Sequence, residues 1–436
     1  MNAVLLAVII MIILSLCRLN VVLSLFIGAL VGGLAAGMGL NETITIFTSG
    51  IGDGSEVALS YALLGGFAAL ISYSGITDYF VEKIIRLIKQ DSTVKTRVWT
   101  KVIIIVSLIM LSCLSQNVIP IHIAFIPIVV PPLLSLFNEL KLDRRMVAVV
   151  ITFGLCFPYT LLPFGFGHIF HEIIKKGFDQ AHYTIQFDDI WKAMLIPSLG
   201  FIVGLILGII LYRKPRIYTK TYDADFIPKE ISRYTVAVTV LAIIVTFVVQ
   251  LLTESMIFGA LAGILIFFMF RVYDWKTLDN ELVGGIKIMA YIGVVMLTAN
   301  GFAKVMNESG QLKSLVNNMV MLTQGDKSLS IIFMLIAGLI ITLGIGSSFA
   351  TIPIIAALFI PFGQQIGLSP LALISIIGTA GALGDAGSPA SDSTLGPTAG
   401  LNMDGQHDHI WDTCVPTFLL FNIPLIIFGY IAAMVL

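Results

Sequence analysis

Charge is scarce in this chain. Asp, Glu, Lys and Arg make up 12% of its 436 residues, about half the soluble average, which excludes an ordinary water-soluble domain. Cysteine is scarce too. The four present (Cys17, Cys113, Cys156, Cys414) are scattered through apolar segments with no CxxC spacing, which excludes a zinc or disulfide framework. No Walker A pattern, glycine-rich dinucleotide turn or nucleophile elbow occurs. The longest polar loop is too short for a nucleotide-binding domain. An enzyme, an ATP-driven pump and a nucleic-acid partner are therefore not expected, and no cofactor is expected either. Residues 2–17 lack a basic leader and run into a second apolar stretch beyond Arg18 and Asn20, so they read as a retained helix rather than a signal peptide.

What the chain has is apolar length. Hydrophobic residues make up 57% of it and the mean hydropathy is +0.98. Apolar runs of about 17–25 residues read as transmembrane helices, so the expected fold is an all-α polytopic membrane protein. Spans are expected at 2–17, 20–39 and 54–75, followed by an amphipathic interfacial helix at 76–89. In 99–137 the run from Val102 to Leu114 is too short to cross and stops at Ser115-Gln116-Asn117, which predicts a re-entrant hairpin with these polar residues at its tip. A span at 146–178 is broken around Pro158–Pro163, and 191–212 crosses again. The loop 213–233 holds six Lys or Arg and links two halves. The second half repeats the plan with spans at 234–252, 255–272 and 284–303 and an amphipathic stretch at 310–322. A hairpin follows at 328–365 with its tip at Gly344–Ser348. A broken span at 370–401 and a last span at 411–436 complete it.

The halves also match in sequence: SYSGITDYFVEKI from Ser72 with NESGQLKSLVNNM from Asn307, and VIPIHIAFIPIVVPP from Val118 with SFATIPIIAALFIPF from Ser348. TFGLCFPYTLLP from Thr152 then matches GTAGALGDAGSP from Gly378, and Asp189-Ile190-Trp191 matches His409-Ile410-Trp411. Four matches in one order imply two repeats, 1–212 and 234–436. Placing the loops near 18, 76–101, 137–145, 213–233 and 271–287 inside puts all but six of the 25 Lys and Arg there, in line with the positive-inside rule. The exceptions are Lys175, Lys176, Lys192, Lys304, Lys313 and Lys327. This topology gives about ten spans and two hairpins, one entering from each side, with both termini outside. The repeats are then inverted, as in many secondary transporters.

Four broken places would converge near mid-membrane. The most distinctive is Gly384-Asp385-Ala386-Gly387-Ser388-Pro389-Ala390-Ser391-Asp392-Ser393. Carboxylates at bilayer depth are costly and mark ion or substrate pathways, so Asp385 and Asp392, with Ser388 and Ser393, are candidate ion ligands or proton carriers. Ser391-Asp392-Ser393 also suits a helix cap. Ser115, Gln116 and Asn117 at one tip and Gly346, Ser347 and Ser348 at the other are candidate substrate or ion contacts, with Gly344 easing close approach. Thr160 beside the first break is a weaker one. Na⁺ could sit near Asp385, Asn117 and Ser347. Tyr159 aligns with Asp385, so the two breaks are chemically unequal. His122 fits a relay or a buried hydrogen-bonded histidine equally well. His168, His171 and Glu172 have metal-like spacing but read better as a water-exposed helix end. Asp53 and Glu56 suit a helix start, and Asn300, beside Gly301 in an apolar span, fits a site contact and a structural polar residue equally well.

At SQNVIPIHIAFIPIVVPP and GDAGSPASDSTLGPTAGL the chain resembles the ion transporter superfamily, in particular the NhaC-like sodium/proton antiporter family and its amino-acid (histidine) permease-like branch. The resemblance implies an inverted-repeat fold in the cell membrane, with a scaffold domain, a mobile transport domain carrying both hairpins, elevator-type movement and a homodimer. Family tips are of Ser-Asn-Thr type, whereas these read Ser-Gln-Asn and Gly-Ser-Ser. The expected function is secondary transport of a small amino-acid-like solute coupled to Na⁺ or H⁺. The alternative is Na⁺/H⁺ exchange without an organic substrate. A channel fits less well, because two hairpins closing from opposite sides leave no open pore.

Overall fold

A computed structural model describes all residues except 1, 18, 54, 76–93, 118–124, 220–231, 254, 312–313, 315–322 and 324–325. The expected amphipathic helix at 76–89, most of the one at 310–322 and His122 lie outside the described residues. So do the side chains of Gln116, Asn117 and Asp53.

All regular structure among the described residues is helical. The first half comprises α1 (Ala3–Leu16), α2 (Val21–Ala35), α3 (Leu40–Asp53), α4 (Ser55–Tyr73), α5 (Val94–Asn117), α6 (Phe125–Glu139), α7 (Arg144–Leu161), α8 (Phe166–Gln180) and α9 (Phe187–Leu211). The second comprises α10 (Arg233–Thr253), α11 (Met256–Met269), α12 (Trp275–Glu308), α13 (Lys327–Ile345), α14 (Ser348–Gln365), α15 (Pro370–Ala382), α16 (Asp392–Leu401) and α17 (His409–Val435). Short polar residues before apolar runs start many of them. The side chains of Asn2, Asn20, Asp143, Asp274, Asp326, Ser369 and Ser391 each accept from backbone N–H groups of the first turn, satisfying donors that a helix start leaves free.

Eight helices are long and apolar enough to cross a bilayer, and five shorter apolar ones accompany them. The chain is a multi-pass membrane protein. Three differences from the expected layout have physical causes. Residues 40–53 form a helix that apolar-run counting passes over, because Asn41, Glu42, Thr45 and Thr48 are exposed while Thr43 packs on Gly33 of α2 and Phe47 on Gly301 of α12. The first hairpin arm is not a 13-residue run: α5 has 24 residues, about 36 Å at 1.5 Å each, since the polar turns at both ends stay helical. The last span is not a uniform α-helix. Its backbone opens into wide π-helical turns at His409–Cys414 and Phe418–Asn422, next to Pro416 and Pro424, which lack the amide an α-turn needs.

Two apolar cores form. Leu64 and Phe67 of α4, Ala260 and Phe267 of α11, Ala242 of α10 and Leu278 of α12 make the smaller one. The larger involves α5–α9 and α13–α17 and extends to α1, α2 and α12. Within it α15 packs against both arms α13 and α14, and α16 lies against α6 and α7. This arrangement carries the α15–α16 break into the protein interior.

Candidate functional site

The break is the segment 383–391, between the end of α15 and the start of α16. Every residue of it is buried. Buried irregular backbone must find partners for its polar groups, and one side chain supplies two. Asn422, in the second wide turn of α17, accepts from the Gly384 amide (2.7 Å) and donates to the Ala386 carbonyl (2.6 Å). Ser388 donates to the Leu343 carbonyl of α13 at 3.1 Å, and Thr394 donates back to the Ser388 carbonyl. The α13–α14 tip abuts the break directly. Gly346 there is left-handed (φ 73°), and a Cβ on it would stand 2.9 Å from the Ala390 carbonyl oxygen, so only glycine meets both demands.

Asp385 is 6% exposed and sits among hydroxyls. Its Oδ1 accepts from Ser391 (2.5 Å), and its Oδ2 accepts from Tyr159 (2.6 Å) and Ser393 (3.1 Å), with the Cys156 thiol at 3.7 Å. Because the Tyr159 proton is committed to the carboxylate, Ser348 donates to the phenol oxygen at 2.9 Å. Four elements thus meet here: α7 through Cys156 and Tyr159, the break, the start of α16, and the α14 start at the tip. Among the described residues no Lys, Arg or His is paired with Asp385. Hydroxyl donors favour the ionised form, yet a buried carboxylate without a counter-cation is costly. The oxygens of Asp385, Ser348, Ser391, Ser393 and Tyr159 form a hard donor set of the kind alkali and alkaline-earth cations take. A proton could occupy the same carboxylate.

Of the sequence candidates, Asp385, Ser348 and Ser393 come together, and Ser388 and Gly346 build the wall. Asp392 is the first residue of α16, with Ser391 as its cap. Its Oδ1 is buried and has no partner. Ser347 precedes α14 without a side-chain cap bond. Ser115 donates within its own helix to Ser112, and Thr160 donates to the Phe157 carbonyl; neither touches Asp385. The helix end carrying His168, His171 and Glu172 is not wholly water-exposed. His171 is fully buried against the Thr160 carbonyl (3.2 Å), whereas Glu172 pairs with Lys176. No cluster of three or more metal-ligating His, Cys, Asp or Glu occurs among the described residues. Sequence reasoning missed Cys156, Ser391 and Asn422. An Asn in an apolar last span was the available signal for Asn422.

Residues 150–430 match the Na⁺/H⁺ antiporter family, and residues 2–88 match a second family described as Na⁺-H⁺ antiporters. The chain belongs to the Na⁺/H⁺ antiporter family. It is a transporter and not an enzyme. It is 51% identical, over the whole of both chains, to the Bacillus subtilis protein named "Putative amino acid transporter YuiF". A membrane protein of Vibrio parahaemolyticus, VP2115, is 48% identical over the whole of both chains. Among solved structures, Neisseria gonorrhoeae MtrF, described with a class of antimetabolite efflux pumps, aligns over 91% of this chain and 85% of its own. The identity is 15% and the TM-score 0.43, a likeness too slight to build on.

Proposed function

We propose that this secondary transporter moves a small amino-acid-like solute, histidine being one candidate, coupled to Na⁺ or H⁺ through Asp385. The observation that carries the reading is a buried carboxylate ringed by hydroxyls with no basic partner, in a break that needs a cation or a proton to be neutral. Ser348 and Gly346 bring one hairpin tip to that carboxylate. The expected partnership of Asn117 and Ser347 with Na⁺ belongs to the same proposal, as do Gln116 and Ser115 for the solute. The YuiF name supports an amino-acid-like cargo. The contact between Tyr159 and Asp385, positions that the internal alignment pairs, supports inverted repeats meeting at this point. Packing that gathers Leu64 and Phe67 of α4, Ala242 of α10 and Ala260 of α11 into a separate smaller core supports an elevator with a scaffold and a moving unit. A homodimer in the cell membrane, with both termini outside, completes the proposal.

The test is radiolabelled amino-acid uptake, histidine first, into proteoliposomes under imposed Na⁺ or pH gradients. Gradient-driven uptake supports the reading. If no amino acid enters while Na⁺ discharges a pH gradient, the protein is a Na⁺/H⁺ antiporter without organic substrate and the solute reading fails.

A further inference from the structure

Two cavities adjoin between α1 and α17. The first, of about 500 Å³, lies at the α1–α2 and α16–α17 loops and is lined by polar and amphipathic side chains, among them Asn20, Tyr291, Asn402, Asp408 and Trp411. The second, of about 270 Å³, is walled almost wholly by apolar groups. Ile12 and Leu16 of α1 and Phe418 and Leu419 of α17 line it, with Gly387 and Pro389 of the break. Ser15 and Ile410 line both cavities, so polar and apolar spaces meet at these two residues.

The lining also gives the depth. Trp411 and Tyr291 are exposed, and such aromatic rings gather at the headgroup level of a bilayer. The apolar cavity lies further along α17, at 414–419, within a span. Leu16 and Leu419 at its rim are exposed, as suits a mouth open to lipid tails. Three polar groups along this path lack partners. Ser15 is 1% exposed at the junction and its Oγ has no hydrogen bond, an uncommon state for a buried hydroxyl. Asp408 accepts from the Trp411 amide at 2.7 Å through Oδ1, and among the described residues no Lys, Arg or His is paired with its carboxylate. Asn402 accepts from the His407 amide at 3.1 Å, which leaves its own amide hydrogens for an acceptor. The neighbouring Asp412 is already neutralised by Arg216.

We propose that the joined cavities hold one membrane lipid with an ethanolamine headgroup. Its ammonium pairs with Asp408, its phosphate accepts from Asn402, its ester carbonyl accepts from Ser15 at the head–tail boundary, and one acyl chain fills the apolar cavity. Charge selects the headgroup. A phosphatidylglycerol sets a net negative charge against Asp408 with nothing to offset it, and a choline head has no N–H to donate to the carboxylate. The chain rests on Gly387 and Pro389, in the loop that carries Asp385. Because α1 packs on α2 and α2 on α12, whereas α17 packs on α9 and α15, the lipid ties two groups of helices together beside the break.

The experiment is native mass spectrometry of the purified full-length protein titrated with palmitoyl-oleoyl phosphatidylethanolamine or phosphatidylglycerol, for wild type, D408N and L419W. D408N keeps a cap acceptor for the Trp411 amide, and L419W narrows the mouth from a lipid-exposed position, so neither cuts into the packed core. Wild type should prefer the ethanolamine lipid by about fivefold, the scale of one exposed ion pair. D408N should lose that preference, and L419W should bind both lipids more weakly. A phosphatidylethanolamine with a diazirine in its tail should crosslink to peptides holding residues 12–16 and 414–419. Equal affinity of wild type for the two lipids overturns the proposal, as do an intact preference in D408N, undiminished binding in L419W, or crosslinks confined to other peptides. Displacement of the lipid by glycerophosphoethanolamine, which has the head and no chains, also overturns it and makes the polar cavity a site for a soluble amine.

Discussion

Two buried carboxylates flank α16, and they differ in their partners. Asp404, just beyond its C-terminal end, has a side chain 7% exposed and is gripped by both terminal nitrogens of the fully buried Arg144 at 2.5 Å. Arg144 also donates to the Leu401 carbonyl and to Asn138, and its guanidinium stacks over Tyr218. Asp385, on the N-terminal side, is as deeply buried and meets only hydroxyls and a thiol. On the function proposed above, the paired buried acid contributes structure and the unpaired one holds a place for a mobile ion, so stability and transport part company within ten residues of helix.

The comparison yields graded expectations. Asp385→Asn should bring coupled flux down to background, at least about 100-fold, while the melting temperature in detergent holds or rises, because a desolvated charge has been removed. Coupled flux at wild-type rate would remove Asp385 from the mechanism. Arg144→Ala should do the reverse. It takes the Arg144 charge away from the buried Asp404, whose Gln406 hydrogen bonds remain, at a cost of about 3–5 kcal/mol in unfolding free energy, with flux per folded molecule retained. Tyr159→Phe removes one charge-assisted hydrogen bond, worth roughly 1.5–3 kcal/mol. The apparent affinity for the coupling ion should weaken by about tenfold or more, readable in the ion-concentration dependence of uptake. Asn422→Ala strands the Gly384 amide and the Ala386 carbonyl and should cost about 1–3 kcal/mol in thermal unfolding.

The smallest expected effect is one of pH. Burial pushes the Asp404 carboxyl up, but the hydrogen bonds and charge of Arg144 outweigh it and hold the group below its ordinary 3.8. The stability it contributes is then complete above about pH 4 and drains as pH falls through the lowered value. Asp404→Asn should flatten that acid limb of the melting curve, and an unchanged limb would show that the Arg144 grip adds nothing there.

Much of the layout was legible because a bilayer imposes length and apolarity on every span. The break at 383–391 and the tip at Gly346 follow from glycine and proline in apolar runs, whereas the break expected around Pro158–Pro163 lies at Leu162–Gly165, with Pro158 kept inside α7. Asp385 stood out because a carboxylate in such a run has few structural uses. What stayed hidden depends on contacts between distant segments. Nothing local distinguishes Cys156 from any other buried thiol until α7 is laid against the break. Asn422 reads as one polar residue in a hydrophobic helix until a wide turn aims it at Gly384 and Ala386. Arg144 looks like an ordinary cytoplasmic charge until Asp404 folds over it. The α3 helix escaped because its amphipathic pattern, half Thr, Ser, Asn, Glu and Asp, resembles a loop when only apolar runs are counted.

The distribution of sulfur gives the protein a built-in clock. Cys17 is exposed and Cys113 half-buried, whereas Cys156 lies beside Asp385 and Cys414 beside His409. A small maleimide added to the purified protein would tag the first two at rates set by collision. The other two would react only as often as α7 or α17 parts from the break. The ratio of slow to fast alkylation, followed by mass spectrometry without any engineered label, would report how frequently the packing around Asp385 and His409 breathes and which solute or salt slows it.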